Sequence, residues 1–166
     1  MNSKQVVAAL AAIVLIVIIV YPAVTSGTVS VSIRATGITQ ADHVYVTING
    51  IWAHPAGQST SGWSLISNKT QTFDLLSVEN ATKALGSGTL SSGSYDSIRI
   101  ELTNVTWVFN KTTTTLGVTS PELEAPVTFT VGTGSSPSIT ITLTGEKQLI
   151  ANSNYFAGTL TASLSS

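Results

Sequence analysis

Asp42, Asp74, Glu79, Asp96, Glu101, Glu122, Glu124 and Glu146 are the carboxylates on which general acid–base chemistry would have to draw. A glycosidase needs two of them facing one another across a cleft, and no pair is marked out by spacing. His43 and His54 are the two histidines, and they fit no His-x-His or His-x-x-x-His pattern. Local hydrogen bonding at strand ends suits them better than metal ligation. The chain has no Cys, which excludes thiolate catalysis, zinc–cysteine sites and disulfide staples. It also lacks an Asp-x-Asp calcium loop, a Gly-x-Ser-x-Gly nucleophile elbow and a phosphate-binding glycine loop. The expectation is therefore a protein with no catalytic residues, no metal and no cofactor. A hydrolase would require an acid pair assembled only by folding.

Modification chemistry is better represented. Asn68, Asn80, Asn104 and Asn110 each begin an Asn-x-Thr sequon, the acceptor pattern for N-linked glycans on exported chains. Independent positions would produce about one such match, so four is an enrichment. Trp52, Trp63 and Trp107 suit either a sugar-stacking platform or packing on and between sheets.

The composition narrows the partners. Charged residues make up only 9% of the 166 positions and the net charge is −1. A nucleic-acid partner would want a basic face, so none is expected. Ser and Thr take the polar positions instead, and hydroxyls do not titrate. That surface suits an acidic or otherwise harsh exterior, an expectation that loss of most stability at low pH would remove.

Export is the clearest address. Met1–Lys4 carries one positive charge, Val6–Val20 is unbroken apolar sequence, and Tyr21-Pro22-Ala23-Val24 leads into Thr25-Ser26-Gly27. This order matches a signal peptide cleaved near Thr25 or Ser26. Gln5–Val24 is also uncharged and about the ~20 residues a membrane anchor requires. A pilin-like helix is the third alternative, without the usual small residue before the apolar run. All three place the remaining chain outside the cytoplasm, at the cell surface or beyond, with membrane contact only through residues 1–24.

Beyond residue 27 the period is two. Val29, Val31 and Ile33 alternate with Thr28, Ser30, Ser32 and Arg34, the pattern of a half-buried strand. Val44–Ile48 repeats it up to Asn49-Gly50, which signals either a hairpin or a bulge in one long strand. Further strands are expected at 62–66, 72–76, 95–102, 105–109, 127–131, 139–143 and 156–164. Ser77–Leu85 predicts one or two helical turns, Thr112–Thr115 a turn or strand edge, and residues 86–94 a Gly/Ser connection. Short alternating strands with turn signals between them predict an all-β fold, an antiparallel Ig-like or Greek-key β-sandwich. It would follow an N-terminal hydrophobic helix or signal peptide. The division expected is 1–25 for export or anchoring, 26–36 for an N-terminal strand, and 37–166 for the sandwich.

The order VYVTINGIWAHP (44–55), GWSLIS (62–67), FDLLSVENATKALGSGTL (73–90) and SSGSYDSIRIELTNV (91–105) resembles a domain-of-unknown-function family of exported bacterial and archaeal proteins. The resemblance covers about 110 residues from near Gly27, and it implies a carbohydrate-binding-like sandwich without an established activity. Family members often continue the first strand into Asp-Ala-Pro, where this chain has Arg34-Ala35-Thr36-Gly37. The chain is also similar to the glycosylated subunits of archaeal surface filaments called threads. That likeness implies head-to-tail self-assembly by donor-strand complementation. Thr28–Ile33 would then enter the next copy, Val29, Val31 and Ile33 would fill alternate pockets, and Thr36–Asp42 would be the linker. Folding of the strand into its own sandwich is the alternative, and a membrane-anchored surface binding or adhesion module for sugars is the alternative function.

Overall fold

The computed structural model describes residues 25–79, 81–150 and 152–165, with backbone only at 149 and 150. The expected signal or anchor segment falls outside these bounds except for Thr25, and so does the sequon residue Asn80. Ten strands run in order: β1 Ser26–Thr36, β2 His43–Pro55, β3 Ser64–Ser67, β4 Gln71–Asp74, β5 Lys83–Ser91, β6 Gly93–Phe109, β7 Thr112–Val118, β8 Glu122–Val131, β9 Ser138–Ile150 and β10 Ser153–Leu164.

They form two packed layers. One layer has the order β5-β1-β9-β10, and the other is centred on β2 and β6. β3 and β4 share the outer edge of β2, while β7 and β8 share the far edge of β6. β7 also pairs with β10 through Tyr155↔Gly117 and Phe156↔Val118, which joins the layers along that side. Inward-facing Val, Ile, Leu and Phe from both layers make one core, exemplified by Ile98, Ile100, Ile139, Ile141, Leu143 and Phe156. In β8 the alternation is complete. Leu123, Ala125, Val127, Phe129 and Val131 face in, and Glu122, Glu124, Pro126, Thr128 and Thr130 face out. Among the described residues β8 pairs only with β6, and this edge position tolerates Pro126, which has no N–H to donate.

The all-β sandwich is as expected, with three differences in detail. Two of its pairings, β1 with β9 and β7 with β10, are parallel rather than antiparallel. The helical turns expected over 77–85 are not found among the described residues beyond Val78. A single 3-10 turn spans Leu75–Val78, with the Asp74 carboxylate accepting from the Leu76 N–H at 3.3 Å, and Lys83 already belongs to β5. The Gly/Ser connection expected over 86–94 is instead mostly strand, because Leu85 and Leu90 are needed in the core. Glycine is poor in strands, but here it is required. A Cβ on Gly88 would overlap the Ile66 carbonyl, and one on Gly86 would press on Ile51 and Ser67. β5 thus lies close across β3.

Asn49-Gly50 is a bulge rather than a hairpin. The register with β6 passes from Ile48↔Leu102 to Gly50↔Glu101, leaving Asn49 as the extra residue. β2 is therefore one long strand, and His43 and His54 stand near its opposite ends.

Candidate subunit-joining site

β1 is enclosed on both edges. It pairs antiparallel with β5 from Ser26↔Ser91 to Ile33↔Lys83, and parallel with β9 from Ser30↔Ser138 to Thr36↔Thr144. At its first residues the loop before β9 takes over that edge. Thr28 and Ser30 donate to the carbonyls of Ser135 and Pro137, each at 3.0 Å, and Gly134 donates to the Ser26 carbonyl at 3.0 Å. Gly27 is needed there, since a Cβ would stand 2.7 Å from the carbonyl oxygens of Gly132 and Ser135.

Val29, Val31, Ile33 and Ala35 point inward and are 0–1% exposed. Full burial of a Val or Ile side chain is worth about 1.5–3 kcal/mol. The three large ones together contribute on the order of 5–9 kcal/mol, against a net domain stability of about 5–15 kcal/mol. β1 is therefore integral to the core and not an accessory to it.

The connection from β1 to the body is short and bent. Between Thr36 and His43, Gly37 and Gln40 adopt left-handed backbone, with φ 71° and 55°. The bend is held by the Trp107 indole N–H donating to the Gln40 carbonyl at 3.0 Å, by Asp42 donating to the Val108 carbonyl at 2.8 Å, and by burial of Ile38. Trp107, one of the three candidate platform residues, is thus a core residue at 4% exposure.

A family model described as a domain of unknown function, DUF4382, matches residues 26–157. The chain belongs to the DUF4382 family. Neither a curated protein nor a solved structure gave a match. The DUF4382 match begins on the first residue of β1 and ends inside β10, so β1 is counted with the body.

The remaining candidates lie on the outer surface of this DUF4382 domain. Asn68 in the β3–β4 connection, Asn104 on β6 and Asn110 at the β6–β7 turn are all exposed. Of the acids, Glu101 and Glu122 are cross-strand register partners on β6 and β8, and several of them are engaged by other side chains. Asp74 binds His43 Nδ1 at 2.7 Å, Asp96 binds His54 Nδ1 at 2.8 Å, Glu122 binds Arg99 at 3.0 Å, and Glu101 accepts from Asn49 at 3.4 Å. Arg99 is stacked between Trp52 and Trp63, at 5.2 and 4.5 Å from the ring centres. Trp52 and Arg99 are cross-strand partners on β2 and β6, and Trp63, expected within a strand over 62–66, arrives on the loop that precedes β3.

His54 holds that loop. Its Nε2 lies 2.9 Å from the Ser59 carbonyl oxygen while Nδ1 faces Asp96. Both neighbours are acceptors, so only the imidazolium donates to both. The Ser59 carbonyl first, then the Asp96 hydrogen bond, raise its pKa above the usual 6.5, and burial opposes them. Asp96, Glu124 and the Trp63 ring are the groups that face it. The folded pKa is the higher one, so this stabilisation is complete below about 6.5 and fades as pH rises through the folded value. Amide exchange in the 56–62 loop will therefore accelerate as pH is raised from 6 to 8 beyond the intrinsic base-catalysed increase, and in His54→Gln the excess will vanish. An equal excess in both chains would show that His54 does not hold the loop.

Proposed function

We propose that this DUF4382 protein is the structural subunit of an extracellular filament, exported, N-glycosylated and joined head-to-tail by β1 of one copy completing the sheet of the next. The observation that carries this is the position of β1: an N-terminal strand in the middle of a sheet, hydrogen-bonded on both edges, tied to its body by one short bent linker. Exchange between copies recreates every bond of β1, because donor and acceptor grooves are identical. Only the linker changes. Straightening it relieves the left-handed Gln40, a conformation costing a non-glycine residue about 1 kcal/mol. The contact is heterologous, so it propagates as a filament rather than closing into a dimer. No cofactor, nucleic acid or catalytic step is needed. A surface-anchored binding module is the second reading, favoured by the half-buried Trp52–Arg99–Trp63 stack.

The absence of native Cys supplies a clean test. Ser32 and Thr140 are register partners on the outer face of β1 and β9, within the reach of a disulfide once both are Cys. Oxidation of assembled Ser32→Cys/Thr140→Cys protein should produce a ladder of covalent multimers that collapses to monomer on reduction. Cross-linking confined to monomers would mean that β1 completes its own sheet, and the binding-module reading would take over.

A further inference from the structure

The β6–β7 turn places an acceptor asparagine beside an exposed aromatic ring. Phe109 and Thr112 are the closing pair of this hairpin, and Asn110 and Lys111 between them have φ 48° and 63°. Positive φ at both central residues defines the tight I′ type of turn, which asparagine tolerates well. Phe109 is 46% exposed although it follows Val105 and Trp107 on the inward-facing side of β6. It projects past the end of the core and lines a groove of about 330 Å³ with Trp107, Thr39, Gln40, Glu146 and Lys147. Neither of the other two exposed acceptors is next to an aromatic residue in the chain: Asn68 lies between Ser67 and Lys69, and Asn104 between Thr103 and buried Val105.

We infer that the proximal sugar of an N-glycan on Asn110 folds back onto the Phe109 ring and seats in this groove, making the glycan part of the folded structure. The ring face is the negative end of the aromatic quadrupole and attracts the C–H face of a pyranose. Glu146, Lys147 and Gln40 offer hydrogen-bond partners to its hydroxyls. The occupant is fixed by covalent attachment one residue away, so its effective concentration at the ring is high and little is lost in ordering it. This rests on the glycosylation part of the proposed function, and the Phe109, Glu146 and Lys147 side of the groove lies outside the linker that strand exchange would straighten.

The test is a cycle of four full-length chains from a host that N-glycosylates its surface proteins: wild type, Phe109→Ser, Thr112→Ala and the double variant. Thr112→Ala abolishes the acceptor while keeping Asn110 in its turn. The glycan-dependent part of the Tm should be roughly 2–4 °C with Phe109 present and absent in Phe109→Ser. Asn68→Gln serves as the control, and its effect should be the same with or without Phe109. In the glycoprotein's proton NMR spectrum the proximal sugar's ring protons should lie upfield, and return to ordinary positions in Phe109→Ser. Additive Tm effects with unshifted sugar protons, at an occupied Asn110, would overturn the inference alone. An unmodified Asn110 by mass spectrometry would overturn it together with glycosylation at that site.

Discussion

A chain that begins at Ile38, and so lacks β1, will not reach a native fold on its own, and a peptide of residues 25–37 will restore it. Three side chains worth on the order of 5–9 kcal/mol of burial leave with the strand, and two rows of unpaired backbone groups on β5 and β9 are opened to water. That loss is of the same size as the domain's whole stability. Circular dichroism and thermal scans should therefore show no cooperative transition for the shortened chain, and a cooperative one once the peptide is added in excess. The same peptide with Val31→Asp should fail, since the Val31 pocket excludes water and offers an added carboxylate no partner. A shortened chain that melts cooperatively at the wild-type temperature would remove the basis for strand exchange. Failure of the native peptide to rescue would point to a folding role for covalent connection.

Gly88→Val will be nearly as damaging, although it adds only three carbon atoms to a small Ser/Gly segment. Its Cβ would occupy the space of the Ile66 carbonyl, a backbone group that cannot rotate away as a side chain can. β5 must then lift from β3, and it cannot do so without disturbing its pairing with β1 at Val29↔Gly88. Overpacking usually costs about 1–3 kcal/mol, and here a strand pairing is added to that cost. We expect at least about 3 kcal/mol of destabilisation, read as a fall in the urea midpoint. The adjacent Ser87→Val, at an exposed position, should change stability by less than about 0.5 kcal/mol. Equal effects at the two positions would show that general strand propensity matters here and the close approach does not.

These two positions mark what was legible in the sequence and what was not. β1, β2 and β6 announce themselves because one face is core and the other solvent, which writes a period of two into the residues. Val29, Val31 and Ile33 could be identified as one inward face on that ground alone. β5 carries no such period. Leu85 and Leu90 lie an odd number of residues apart, Leu85 being the residue skipped where the register of β1 against β5 shifts between Gly86 and Ala84, and the glycines between answer to β3, a neighbour that sequence order does not reveal. β7 is similar: Thr112–Thr115 shows no alternation, and only Leu116 of that strand is buried. The partners of β1 were beyond reach for a different reason. Ser138–Thr144 of β9 is more than a hundred residues away along the chain, and the choice of a parallel neighbour depends on how every intervening strand is stacked. The histidines were read as local hydrogen-bonding groups, and they are. That His54 would clasp the loop carrying Trp63 depends on the bulge at Asn49, which sets the side of β2 on which His54 emerges.

The parallel ladder between β1 and β9 also determines how a polymer of this chain would bear load. Tension along the polymer would pull β1 lengthwise between its two neighbours, so the hydrogen bonds on both edges would be strained together, in shear. Peeling, by contrast, would break them one at a time from an end. Sliding by one residue would turn Val29, Val31 and Ile33 toward solvent, and sliding by two toward the linker would draw Gly27 out of the narrow gap at Gly132 and Ser135, with Thr25 taking its place. The smallest side chain in the strand thus acts as a mechanical stop. A joint of this kind holds without a covalent bond because every path to slippage begins with a high-energy step.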